Sequence, residues 1–156
     1  PAPGDKLQVG QVELTVMGPV MSYAEPNDTS IVLMISYGKT KFLFTGDMES
    51  VAERDLVESG ADLKADVLKV GHHGSSSSTS YRFLRAVAPT YGVISLAAAN
   101  EYGHPHRDPM SRLMDADVTI YRTDKMYDVV AFSDGETISF TCGNPYAEPW
   151  RPGDPR

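Results

Sequence analysis

At 156 residues with 41 % hydrophobic side chains, the chain is long enough for one domain with a buried core and short for several. A formal charge of −7 excludes a broad basic groove that grips nucleic acid by charge alone, though not a phosphodiester held through a dication. A single cysteine, Cys142, excludes an internal disulfide and a cysteine-based zinc cage, and no apolar run approaches the roughly 18 residues of a membrane span.

Residues 1–6 read as a linker, without the basic and apolar segments of a signal peptide. The chain does not begin with Met, so an excised fragment is expected. Leu7–Val9 and Val12–Val16 are predicted strands around Gly10. Ser30–Tyr37 is a continuous apolar run, turned at Gly38-Lys39 into a partner strand, Lys41–Thr45. Continuous apolarity implies cover on both faces of the sheet. Ser50–Ser59 has helical spacing, with Val51, Ala52, Leu56 and Val57 as the apolar face and Glu49, Glu53, Arg54 and Glu58 as the polar one. Asp66–Val70 is the next strand.

Thr79-Ser80 can cap a helix over Tyr81–Val87, and Tyr91–Leu96 is a strand. Asp108-Pro109 looks like a cap followed by a first-turn proline, opening a short helix to Met114. Val118–Arg122, Val129–Ser133 and Glu136–Phe140 are strands, the last two joined at Asp134-Gly135. Residues 142–156 form a Pro-rich tail, expected to be loosely held. Alternation of strands and helices predicts an α/β layered domain over residues 7–141.

The chemistry-bearing residues gather in loops after apolar strands. Asp47 follows Gly46 at a strand end, where its carboxylate can ligate a metal or cap the next helix. His72-His73 end another strand between Gly71 and Gly74, which implies a closely approached backbone. Neighbouring side chains diverge there, so one is expected to ligate while the other orients, touches substrate or carries protons. His104 lies in Asn100–His106 and is a candidate ligand, general acid or phosphate-contacting group. Asn100 and Tyr102 offer hydrogen bonds to substrate, and His106 reads as an exposed loop residue. Ser75 is a candidate substrate contact, although a flexible, solvated loop is the plainer reading of Ser75–Ser78.

Asn27-Asp28-Thr29-Ser30, Leu43–Asp47, Ala65–Ser75 and Asn100–Pro105, in this order, resemble the metallo-β-lactamase-fold hydrolases. The resemblance is strongest to the branch found as the C-terminal domain of the bacterial competence DNA-uptake protein ComEC and in its stand-alone relatives. It covers about residues 7–140. It implies the second half of a four-layer αββα fold, a site for two divalent metal ions (zinc or manganese), and hydrolysis of DNA or another phosphodiester. Asp47 matches the metal-bridging aspartate and the His72-His73 pair the last ligand histidine, with His73 favoured as the direct ligand. His104 matches a histidine near the site, assigned to substrate or proton transfer.

No histidine precedes His72, so the family's His-x-(His/Asp)-x-Asp-His motif is absent. Its half of the fold is expected to have been cut, lost or supplied by another chain. Three expectations follow. The chain alone binds metal weakly or not at all and is inactive, it pairs or self-associates through the face its missing half would cover, and it lies outside the cytoplasm if it belongs to a membrane protein. The competing readings are a degenerate binding module of the same fold and a small α/β domain without a site.

Overall fold

The structure is a computed structural model that describes residues 1–155. The chain runs β1 (Lys6–Val9), β2 (Val12–Gly18), β3 (Val32–Tyr37), β4 (Thr40–Phe44), α1 (Ser50–Glu58), β5 (Val67–Lys69), α2 (Tyr81–Val87), β6 (Tyr91–Ile94), α3 (Arg107–Asp115), β7 (Thr119–Arg122), α4 (Thr123–Met126), β8 (Val129–Ser133) and β9 (Ile138–Cys142). Two short 3₁₀ turns, Asn27–Thr29 and Gly71–Gly74, interrupt the loops. β1 to β7 form one sheet in sequential order, antiparallel through β4 and parallel from β4 to β7. β8 and β9 form a separate antiparallel hairpin. Among the described residues, no helix is long and apolar enough to cross a membrane.

The register explains the layers. Met34, Leu43, Leu68, Gly92 and Ile120 form one row across the sheet. That row packs in a single core with Ala52 and Leu56 of α1, Phe83, Leu84 and Val87 of α2 and Leu113 of α3. The alternate row, Leu7, Leu14, Ile35, Phe42, Val67 and Tyr91, points to the opposite face, because successive strand residues alternate sides. There the β8–β9 hairpin covers part of the sheet, with Phe140 stacked on Tyr121 at 4.1 Å between ring centroids. Helices, sheet and a partial second sheet are the layering that the resemblance implies. Cover on both faces is thus realised fully by the helices and only partly by the hairpin.

Several local expectations are corrected. Glu53 belongs to the buried side of α1, 1 % exposed, while Val51 is 46 % exposed. α3 starts at Arg107 with His106 as its cap, so Pro109 occupies the third helical position, where its missing N–H has no intrahelical partner to lose. The Asp134 turn is two residues longer than a tight hairpin, since its carboxylate accepts the N–H groups of Glu136 and Thr137; this moves the last strand to Ile138–Cys142. α4 was not foreseen. The tail is docked rather than loose, with Trp150 exchanging both backbone hydrogen bonds with Ile120 on β7. The serine run is not a solvated loop either: Ser75, Ser78 and Thr79 are buried, and Ser78 Oγ donates to Gly71 O.

Candidate metal and phosphodiester site

The loops after β4, β5, β6 and β7 share the carboxyl edge of the parallel strands, which is where open α/β sheets place their crevices. They line a cleft of about 570 Å³ containing Asp47, His72, His73, Ser95, Leu96, Ala97, Asn100, Tyr102, His104 and Thr123. Six of the expected site residues (Asp47, the two adjacent histidines, Asn100, Tyr102 and His104) line it.

Asp47 is set by its own strand end. Thr45 Oγ1 donates to Lys69 O, tying β4 to β5, and Asp47 N donates to Ser30 Oγ. Gly46 has φ +56°, and a Cβ there would sit 2.9 Å from the Ser30 side chain. The helix-cap reading of Asp47 fails, because α1 is capped at Glu49.

His72 and His73 both adopt left-handed backbone, φ 45° and 54°, a conformation that side chains other than glycine rarely take. The turn is held by His72 N donating to Gly46 O and Ser75 N donating to His72 O. The two imidazoles diverge, as their adjacency predicts. His73 Nδ1 lies 2.5 Å from Ser95 O. A carbonyl only accepts, so Nδ1 carries a proton, and in the neutral tautomer this leaves the lone pair on Nε2. That Nε2 faces Asp47 Oδ1 at 3.6 Å. His72 Nδ1 lies 3.1 Å from Glu49 Oε1 but out of hydrogen-bond alignment, so this buried nitrogen has a charged neighbour and no hydrogen-bond partner. Glu49 is itself held by Asn27 Nδ2 and by its own N–H donating to buried Asp28.

The Asp47–His73 pair fits two ligands of a shared cation. Two electron-rich atoms face each other, and tetrahedral ligands at zinc bond lengths stand about 3.4 Å apart. The Ser95 carbonyl behind His73 stands where the outer partner that fixes a ligand histidine's tautomer would stand. Among the described residues, no group of three or more His, Cys, Asp or Glu side chains converges to complete a coordination sphere.

His104 stands across the cleft, its ring 5.7 Å from that of His72 and 4.7 Å from that of His106. Burial lowers its pKa below the usual histidine value, as do His106, His72 and His73, against the opposing charge of Asp47. The loop is clamped by Asn100, whose Nδ2 donates to Ala97 O and His104 O while its Oδ1 accepts from His104 N. Asn100 therefore spends its amide on the loop. Ser75 is turned into the structure, its Oγ 3.0 Å from Ser77 Oγ, and does not line the cleft. His106 is a strut rather than a bystander: its Nδ1 accepts from Ser76 N, and its Nε2 lies 3.1 Å from Tyr102 O.

Three contributors escaped the reading of the sequence. The Ser95 carbonyl has no side-chain signal. Glu49 read as ordinary helix polarity. Lys69 interrupts the apolar run Asp66–Val70, which was a usable signal; it shares a cross-sheet row with Phe44 and Val93 and donates to Val70 O. Burial lowers its ammonium pKa, with Asp47 opposing.

Residues 1–98, which include Asp47 and both adjacent histidines, match the metallo-beta-lactamase superfamily. The chain belongs to that superfamily. It is 36 % identical over 123 residues to ComE operon protein 3 of Bacillus subtilis (strain 168), covering 78 % of this chain and 16 % of that protein. It is 40 % identical over 101 residues to competence protein ComA of Neisseria gonorrhoeae, covering 64 % and 15 %. Recombination protein 2 of Haemophilus influenzae (strain ATCC 51907 / DSM 11121 / KW20 / Rd) is 40 % identical over 87 residues, covering 56 % and 11 %. The chain thus spans less than a fifth of the length of these relatives. Superfamily membership brings a general association with divalent metals, and the relatives place this fold among competence proteins.

Proposed function

We propose that this chain is part of a metal-dependent phosphodiesterase or nuclease domain that acts in DNA uptake. The observation that carries the reading is His73, whose Nδ1 is committed to Ser95 O so that its bare Nε2 faces Asp47 at 3.6 Å. Asp47 and His73 would hold the metal, and His72 would shape the turn and the cleft wall beside them. The names of the relatives, competence and recombination proteins, support nucleic acid as the substrate.

When bound, divalent ions would supply a hydroxide at neutral pH and stabilise the attacking and leaving oxygens. The chain's own residues contribute the rest. Its surroundings lower the pKa of His104, which favours the ring form that can accept a proton at a substrate oxygen. Leu96 and Ala97 give the cleft an apolar wall beside the polar one. The remaining metal ligands would come from a partner half-domain, and the assembled domain would sit on the extracytoplasmic side of a bacterial membrane.

Calorimetric titration of the purified chain with Zn²⁺ and Mn²⁺, and its incubation with plasmid DNA, test this. Weak metal binding that disappears in Asp47→Ala and in His73→Ala, with no cleavage by the chain alone, is the expected result. Binding indifferent to both substitutions would favour the degenerate binding module, and robust cleavage by the chain alone would overturn the half-site reading.

A further inference from the structure

Tyr102 is 78 % exposed although it lines the cleft. Exposed aromatic rings are ordinarily mobile, but this one is held. Its ring stacks on His104 with centroids 5.7 Å apart and planes 23° apart. The carbonyl of Tyr102 is bridged through His106 to the N–H of Ser76, and the loop is clamped around Asn100. One ring face therefore meets His104 while the other is open to solvent. A flat, positioned ring that leaves most of its surface exposed at the cleft is a platform for a second flat ring.

The charge balance adds an independent argument. At a net −7, the chain repels a polyanion at long range. A strand that reaches the cleft must gain affinity from contacts that do not depend on positive surface charge. Stacking of a base on an aromatic ring is such a contact, and it is sequence-tolerant because every base has a π-face. It also requires that the base be out of its duplex stack. The cleft lies within the roughly 300–1,000 Å³ of small-molecule sites, room for a splayed nucleotide rather than an intact double helix.

Resting on the phosphodiesterase reading, we propose that Tyr102 binds an unstacked nucleobase next to the phosphate presented to Asp47 and His73, so that the site selects single-stranded or frayed nucleic acid over duplex. Tyr102 is a specificity determinant in this scheme. The hydroxyl plays no part, so the ring alone is required.

The test uses the 156-residue chain with a fluorescent single-stranded oligonucleotide carrying 2-aminopurine, in Mn²⁺ and separately in EDTA. Binding is read by anisotropy, and stacking by quenching of the 2-aminopurine. Wild type and Tyr102→Phe are expected to bind and quench alike. Tyr102→Leu is expected to bind roughly 5- to 100-fold more weakly and to lose the quenching, as is wild type with an abasic strand. The matching duplex should bind at least several-fold more weakly than the single strand. Equal affinity of Tyr102→Leu and wild type, equal affinity for single strand and duplex, or absence of binding by wild type would each overturn the proposal. The readouts need no cleavage, so they separate it from the catalytic reading. Tyr102-dependent quenching that is the same in Mn²⁺ and in EDTA would support the stacking site and count against the metal-dependent reading, whereas Mn²⁺-dependent binding that Tyr102→Leu leaves unchanged would overturn the role of Tyr102 alone.

Discussion

Glu53 carries no chemistry in the cleft, yet it organises the turn that leads out of it. From α1 its carboxylate accepts the N–H groups of Thr79 and Ser80, the first of them through a very short contact. It thereby holds Thr79, φ 61°, at the entrance to α2. Removing the carboxylate leaves two donors without their partner, so Glu53→Ala should cost about 1–3 kcal/mol in denaturant unfolding. The carboxyl also titrates with folding. Burial raises its pKa above the usual glutamate range, against the opposing hydrogen bonds from Ser80 and Thr79 and the charge of Arg112. A raised folded-state pKa means the native form holds the proton more tightly. Its contribution is complete below the unfolded value of about 4.3 and is lost as pH rises through the folded value. Melting curves should show wild type losing stability relative to Glu53→Gln across that window; parallel curves would remove Glu53 from the pH response. None of this was legible from helical spacing, which put Glu53 with the polar residues. Periodicity marks which residues share a helix side, while the N–H donors that hold buried Glu53 come from a distant loop.

At the scale of elements, most strands and three of the helices were legible, because apolar runs and glycine turns are local signals. β3, β4, β5, β6 and β7 fall within two residues of where the pattern puts them. Glycines on both sides of His72-His73 announced a close backbone approach, and it is found. A Cβ at Gly71 would lie 3.2 Å from Thr45 Oγ1, and one at Gly74 would lie 2.7 Å from Pro105 Cβ. What remained hidden was the contact between loops, such as the docking of the His73 turn on Ser95 and of the serine run on His106. Such contacts join residues 22 and 30 positions apart through a backbone atom, which leaves no pattern in the side chains. Gly74 tests the arrangement, since its φ of +81° and the nearby proline both oppose a side chain. Gly74→Ala should destabilise the chain by about 1–3 kcal/mol and weaken metal binding at His73, whereas Gly153→Ala, also at positive φ but with open space around it, should cost less and leave the metal site alone.

At the scale of the whole molecule, one sheet has two apolar faces and unequal cover. The helices seal one. The other carries Leu7, Leu14, Ile35, Phe42, Val67 and Tyr91 in a single cross-sheet row, and the hairpin reaches only its β6–β7 end closely enough to stack rings. Toward the β1 edge Leu7 is 60 % and Val9 58 % exposed, and on the outer side of the hairpin Val130 and Phe132 are 55 % and 65 % exposed. Contiguous apolar surface of this kind is covered in stable proteins by a partner, and it drives association when the partner is missing. The purified chain should therefore show a weight-average mass that rises with concentration in light scattering. Leu7→Lys with Val9→Glu, at exposed edge positions where charge costs little folding energy, should return it toward the monomer without lowering the melting temperature. Unchanged association in that variant, with Val130→Lys/Phe132→Glu monomeric, would move the interface to the outer side of the hairpin. A monomeric wild type at high concentration would mean that the open face is tolerated in water, and the proposal of a partner half-domain would then rest on the proposed metal ligands alone.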